Sequence, residues 1–111
     1  MSIDTEYIEV ESALKRVGGN VALYKKLLTL FLNESHVDEL CTAVESGKNV
    51  EAIQMAHTIK GVSANLSLMK LNKDAASIEA QLKEGKDCRE SMCELRATFD
   101  ETTALINEYI G

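Results

Sequence analysis

Apolar residues recur every three or four positions along this chain, with polar residues filling the gaps. Tyr7, Val10, Leu14 and Val17 form the first such run, the spacing of a helix with one buried face. It ends at Gly18-Gly19, where glycine can take the left-handed conformation that closes a helix. Asn20 suits the N-cap of the next helix, which the pattern carries from Val21 to Ser46. Leu23, Leu27, Leu30, Val37, Cys41 and Val44 form its seam, interrupted at Glu34, and Tyr24, Leu28 and Phe31 widen it. Gly47 stops this helix, and Asn49 is placed to cap a third from Val50 to Leu66. Leu68, Leu71, Ala75, Ile78 and Leu82 predict a fourth helix that stops at Gly85. Asp87 with Glu90 three residues on is a capping-box-like start. It opens a last helix whose apolar face reads Cys88, Met92, Leu95, Phe99, Thr102, Ile106 and Tyr109. No stretch alternates with the period of a strand. A short N-terminal lead-in helix and four long amphipathic helices on short connections predict an all-α fold, an up-and-down antiparallel four-helix bundle.

Composition narrows the function. The 111 residues, 45% of them hydrophobic, make a single domain over residues 1–111 with one modest core. Proline is absent, which agrees with uninterrupted helices. The formal charge of −6 repels phosphate backbones, so nucleic acid is not an expected partner. The N-terminus has neither the basic segment nor the apolar core of a secretory signal. No apolar run approaches the roughly 18 residues that cross a bilayer. A cytoplasmic protein without membrane insertion is expected. Cys41, Cys88 and Cys93 are odd in number and form no C-x-x-C pair, the usage of reduced thiols rather than of a disulfide framework or a metal site.

The third helix carries the anomaly. On a helical wheel Met55, Ile59, Val62, Leu66 and Ala52 fall roughly 140–220° round from His57, so they are the expected core and His57 points outward. Lys60, Gly61, Ala64 and Ile53 all lie within roughly 60° of His57. The outward face thus joins an imidazole, an ammonium, two very small residues and a branched apolar one. Glycine inside a helix costs about 1 kcal/mol relative to alanine, and no neighbour within the bundle calls for it at Gly61. Its use is to let an external body approach the backbone beside His57, with Ala64 continuing the flat strip and Ile53 offering an apolar contact. An exposed imidazole near neutral pH is a free nucleophile, and Lys60 at i+3 can pair with an anion placed on it. His36 lies at the edge of an apolar seam with no such strip after it and is expected to be a boundary residue. Glu79, Glu84, Asp87, Glu90, Glu94, Asp100 and Glu101 are expected to form solvated helix faces.

The segment Ala56-His57-Thr58-Ile59-Lys60-Gly61-Val62-Ser63-Ala64-Asn65-Leu66 resembles the signature of histidine-containing phosphotransfer (HPt) domains, A-H-x-L-K-G followed four residues later by Asn. Ala13 to Asn20, Leu23-Tyr24, Leu27-Leu28 and Phe31 are similar to the family's opening, and Leu71, Ile78-Glu79 and the Gly85 stop sit where the family has them. The resemblance implies that His57 accepts a phosphoryl group from the phospho-aspartate of a response-regulator receiver domain and passes it to another receiver. It implies that Lys60 stabilises the charge, that Ile53, Gly61 and Ala64 receive the partner, and that hybrid sensor kinases stand upstream. It implies a phosphohistidine carrier, not an enzyme, without ATP site or cofactor of its own. The Mg²⁺ would sit on the receiver and no metal on this chain. The family often has Gly where this chain has Ala64 and Ser67. Ala64 is small enough to keep the strip open, and Ser67 would reshape the turn between two helices, capping the second.

Other classes predict other features. A passive adaptor of the same fold, binding a receiver without accepting phosphate, would have no need of both His57 and Lys60. A sensor-kinase dimerisation region uses two helices per subunit and a Pro soon after the His. This chain has no Pro and enough helices to close its own bundle, so a monomer is expected. A metal or haem bundle needs inward-facing His or carboxylate clusters, and the apolar seams contain none.

Overall fold

In the computed structural model, residues 5–111 are described. They form six α-helices and no strand: Val10–Arg16 (α1), Val21–Asn33 (α2), Val37–Glu45 (α3), Asn49–Asn65 (α4), Met69–Lys83 (α5) and Arg89–Ile110 (α6). The stops fall where glycine permits a positive φ, at Gly18, Gly19, Gly47 and Gly85. Asn20 caps α2 by accepting the Leu23 N–H at 3.0 Å. The two other expected caps differ. Lys48, not Asn49, precedes α4, and Cys88, not Asp87, precedes α6, neither with a side-chain cap. Asp87 instead accepts from the Arg89 N–H and guanidinium.

The expected helix from Val21 to Ser46 is two helices. Glu34 ends α2, and His36 takes φ 64 immediately before α3. The reason is phase. Tyr24, Leu28 and Phe31 are the buried face of α2, and Val37, Leu40 and Ala43 that of α3. One continuous helix would set these two faces roughly 150° apart, so the polar break at Glu34-Ser35-His36 rephases the chain and both halves bury their apolar side. The seam expected through Leu23 and Leu30 is correspondingly not core: they are 39% and 47% exposed.

Packing runs from helix to helix. The most extensive contact is α4 on α5, with α3 against α4, α6 against α5, and α2 and α3 against α6. Leu28, Leu40, Ile59, Leu68, Leu71, Ile78, Leu95 and Ile106 are among the fully buried side chains, each worth about 1.5–3 kcal/mol removed from water. Aromatic pairs join α2 to α6: Phe31 meets Phe99 edge-on at 6.2 Å, and Tyr24 meets Tyr109 at 5.8 Å. The buried Tyr24 hydroxyl donates to the Leu66 carbonyl at 2.8 Å, fixing the end of α4 to α2. Cys88 is buried, Cys41 partly so and Cys93 exposed, all as free thiols. Burial raises the pKa of Cys41 and of Cys88, which makes both sluggish nucleophiles.

Ser67 does not cap α5; Leu68 occupies that position. Ser67 adopts φ 57, the left-handed turn, and is fully buried. The strain of about 1–2 kcal/mol for a non-glycine residue is offset by contacts from α1. Arg16 donates to the Ser67 hydroxyl and to the Asn65 carbonyl, and the Glu9 N–H donates to the Ser67 carbonyl at 2.9 Å. The lead-in helix is thereby tied to the turn just beyond the His57 helix.

Candidate functional site

The buried face of α4 is Ala52, Ala56, Ile59 and Ser63, continued by Leu66. It is rotated from the expected stripe: Val62 is 37% exposed and Met55 only partly buried. Ala52, Ala56 and Ser63 are small, which lets α4 approach α5 closely, and Ser63 satisfies its buried hydroxyl on the Ile59 carbonyl at 2.6 Å. Asn72 of α5 donates to the Lys60 carbonyl at 2.7 Å across the same interface. This rotation brings Lys60 toward α5 and leaves His57 at the rim.

His57 is well exposed, its side chain 69% accessible. Gly61 and Ala64 are exposed beside it and Ile53 is partly buried. A Cβ built on Gly61 would meet nothing within 4 Å, so no neighbour in the fold requires glycine there. All five sequence-predicted site residues lie on α4. On the far side of Gly61 a groove of about 440 Å³ runs between α2 and the end of α4, with Leu27, Leu30, Phe31 and Val62 in its walls. Leu30 of the expected α2 seam and Val62 of the expected α4 stripe, both exposed, are found here.

The residue that sequence reasoning missed is Glu79 of α5. Far from forming a solvated face, it is 4% exposed and sits at the centre of an ionic cluster. Its Oε1 meets Lys60 Nζ at 2.6 Å, and its Oε2 meets both His57 Nδ1 at 3.1 Å and Lys83 Nζ at 3.2 Å. The hydrogen bond from Lys60, reinforced by that from Lys83 and by both positive charges, outweighs the cost of burial and holds the Glu79 pKa at about 2. Glu79 is therefore a carboxylate at every physiological pH, and a carboxylate only accepts hydrogen bonds. The proton between it and the imidazole belongs to Nδ1. In the neutral ring the lone pair then belongs to Nε2. Periodicity gave only a faint signal for Glu79, a charge flanking the Leu71-Ala75-Ile78-Leu82 stripe with Lys83 four residues on; the resemblance included the Ile78-Glu79 pair but assigned Glu79 no role.

Acid stability reads this cluster directly. Glu79 titrates in the fold at about 2 instead of the ordinary 4.5, so its stabilisation is complete above about pH 4.5 and disappears as the pH falls toward 2. Screening of the two lysine heads leaves about 2 kcal/mol of that effect. Urea unfolding followed from pH 6 to pH 2 should show the wild type losing that much more than a Glu79→Gln variant. Parallel acid limbs would mean that the carboxylate is not held by the lysines.

Among the described residues no helix is long and apolar enough to cross a membrane, and no group of three or more His, Cys, Asp or Glu is placed to hold a metal ion. No curated protein and no solved structure matches the chain. The sequence model of the Hpt domain matches residues 26–108, from within α2 almost to the end of α6 and including every residue of the His57 cluster. The chain belongs to the Hpt domain family, the helical phosphocarrier modules that meet receiver domains in phosphorelays.

Proposed function

We propose that this chain is a phosphoryl carrier that takes a phosphoryl group on His57 from the phospho-aspartate of one receiver and delivers it to another. The observation that carries the reading is the exposed imidazole whose Nδ1–H is held by the buried Glu79 carboxylate. That bond fixes the ring with Nε2 as the nucleophile. In the forward step the Nε2 lone pair forms the N–P bond as the P–O bond to the receiver aspartate breaks, and the carboxylate leaves with the electron pair. Nδ1 keeps its proton, and Glu79 stabilises the positive charge that the ring gains. The reverse step onto a second receiver retraces the same path. Lys60, at i+3 from His57, supplies positive charge to the transferred group.

The exposed strip of Gly61 and Ala64, with Ile53 before it and the Leu30–Val62 groove beside it, is the docking face for the receiver. The chain needs no cofactor of its own in this scheme, since the Mg²⁺ and its acidic ligands belong to the receiver. The helices are read as an up-and-down antiparallel four-helix bundle in which α2 and α3 together form one bent member. The whole of residues 1–111 is read as one monomeric Hpt domain, because α1, upstream of the matched residues, is tied to the α4–α5 turn by Glu9 and Arg16. A cytoplasmic location and a hybrid sensor kinase upstream complete the reading.

Intact-mass analysis at alkaline pH, after mixing with phosphorylated receiver domains and Mg²⁺, tests it. The expected result is a gain of one phosphoryl group that is lost on acidification, as an N–P bond to imidazole requires. Binding of receivers without any mass gain would instead identify a docking adaptor that has the fold and not the chemistry.

A further inference from the structure

The three groups on Glu79 do not play equal parts. Lys60 Nζ makes the shorter contact, 2.6 Å to Oε1, while Lys83 Nζ and His57 Nδ1 share Oε2 at 3.2 and 3.1 Å. One negative charge is thus faced by two ammonium groups. A lysine bound this way is not available to a phosphoryl group unless something else keeps the carboxylate satisfied, because a carboxylate left unpaired in so buried a place is strongly disfavoured. Lys83 is placed to do this. It lies one turn after Glu79 on the same helix, in the favourable i,i+4 order, and its side chain is 59% exposed, so the ammonium reaches Oε2 without being buried itself. Lys60 by contrast comes from α4, the helix that carries His57. It can turn from Oε1 toward the imidazole rim by rotating its own flexible stem.

We propose that Lys83 is a positioning residue for phosphoryl transfer: it holds the buried Glu79 carboxylate so that the Lys60 ammonium is released to the phosphoryl group on His57. This rests on the phosphocarrier reading above and deepens it. In the resting protein both lysines sit on Glu79. When the dianionic phosphoryl arrives at Nε2, Lys60 leaves Oε1, and Oε2 remains held by Lys83 and by the His57 Nδ1–H. Without Lys83, Lys60 is shared between two anions and serves the phosphoryl group less well.

The test uses potassium phosphoramidate, a small phosphodonor that requires no receiver docking, with uptake followed by intact mass at alkaline pH. Wild type, Lys83→Met, Lys83→Arg, Glu79→Gln and the Lys83→Met/Glu79→Gln double variant are compared, with circular dichroism confirming the fold of each. Lys83→Met is expected to slow uptake about fivefold, the scale of one partly exposed ion pair. Lys83→Arg should restore most of the rate. In the Glu79→Gln background, where no carboxylate competes for Lys60, Lys83→Met should have no effect. A Lys83→Met rate equal to wild type, or the same loss in both backgrounds, overturns the proposal. If the wild type takes no phosphoryl group from phosphoramidate or from phosphorylated receivers, the phosphocarrier reading itself fails and takes this one with it. A wild type that transfers normally beside an unaffected Lys83→Met variant sinks only the role of Lys83.

Discussion

Replacement of His57 by glutamine is expected to reduce phosphoryl uptake from receivers to background while leaving the fold intact. The amide nitrogen of glutamine has its lone pair delocalised into the carbonyl and cannot form the N–P bond. The fold should not notice, because the His57 side chain is 69% exposed and its Nδ1 contact is to Glu79. Both Glu79 oxygens remain occupied by Lys60 and Lys83 when the imidazole is removed. A surface substitution of this kind stays within about 0.5 kcal/mol, so the urea midpoint should match the wild type. The variant also decides between the chain's two histidines. His36 stands at the break between α2 and α3 with its Nδ1 3.2 Å from the exposed Glu39, and neither a buried carboxylate nor a glycine strip adjoins it. An acid-labile phosphoryl group persisting in the His57→Gln variant would place the acceptor at His36 and overturn the site.

The helices that position this site were readable wherever apolar side chains of ordinary size marked the buried face. The Leu71-Ala75-Ile78-Leu82 stripe of α5 and the Met92-Leu95-Ile106 stripe of α6 are buried as their spacing predicts. On α4 Ala52, Ile59 and Leu66 are buried as expected, but the buried face also takes in Ala56 and Ser63, residues too small or too polar to register in a hydrophobic pattern. They are buried because the closest helix contact needs small side chains. Val62 was drawn into the expected core for the opposite reason, being branched and apolar yet facing the groove. The break at Glu34-Ser35-His36 was hidden because Leu23, Leu27 and Leu30 happen to be in phase with Val37, Cys41 and Val44, although Tyr24, Leu28 and Phe31 form the core face. His57, Lys60 and Gly61 were legible as a local motif on one helix. Glu79 was not, since its role depends on which flank of α5 meets α4, and periodicity within one helix carries no information about its neighbour.

Gly61→Arg should separate stability from docking with opposite signs. Gly61 lies inside α4, and a Cβ there meets nothing within 4 Å. A side chain there therefore leaves the helix into open space at its Cβ, and it relieves the backbone entropy that glycine loses in a helix, about 1 kcal/mol. The thermal midpoint should stay level or rise by a few degrees. Receiver binding should move the other way. The arginine stem would stand on the strip next to His57, on the surface that the receiver must meet closely for its aspartyl phosphate to reach Nε2. A loss of receiver affinity of at least about tenfold, equivalent to 1.4 kcal/mol, is expected in a binding titration, with phosphotransfer from the receiver reduced at least as much. Uptake from phosphoramidate should be nearly unchanged, because that donor needs the imidazole and its ionic cluster but not the strip. Gly61→Ala marks the boundary of the effect: it should gain the same helix stability and, adding a single methyl group, lose much less affinity. A Gly61→Arg protein that binds and exchanges phosphoryl groups with receivers at wild-type levels would show that the receiver approaches from another side of His57. The Leu30–Val62 groove and the Ala64 strip would then have to be abandoned as the docking face.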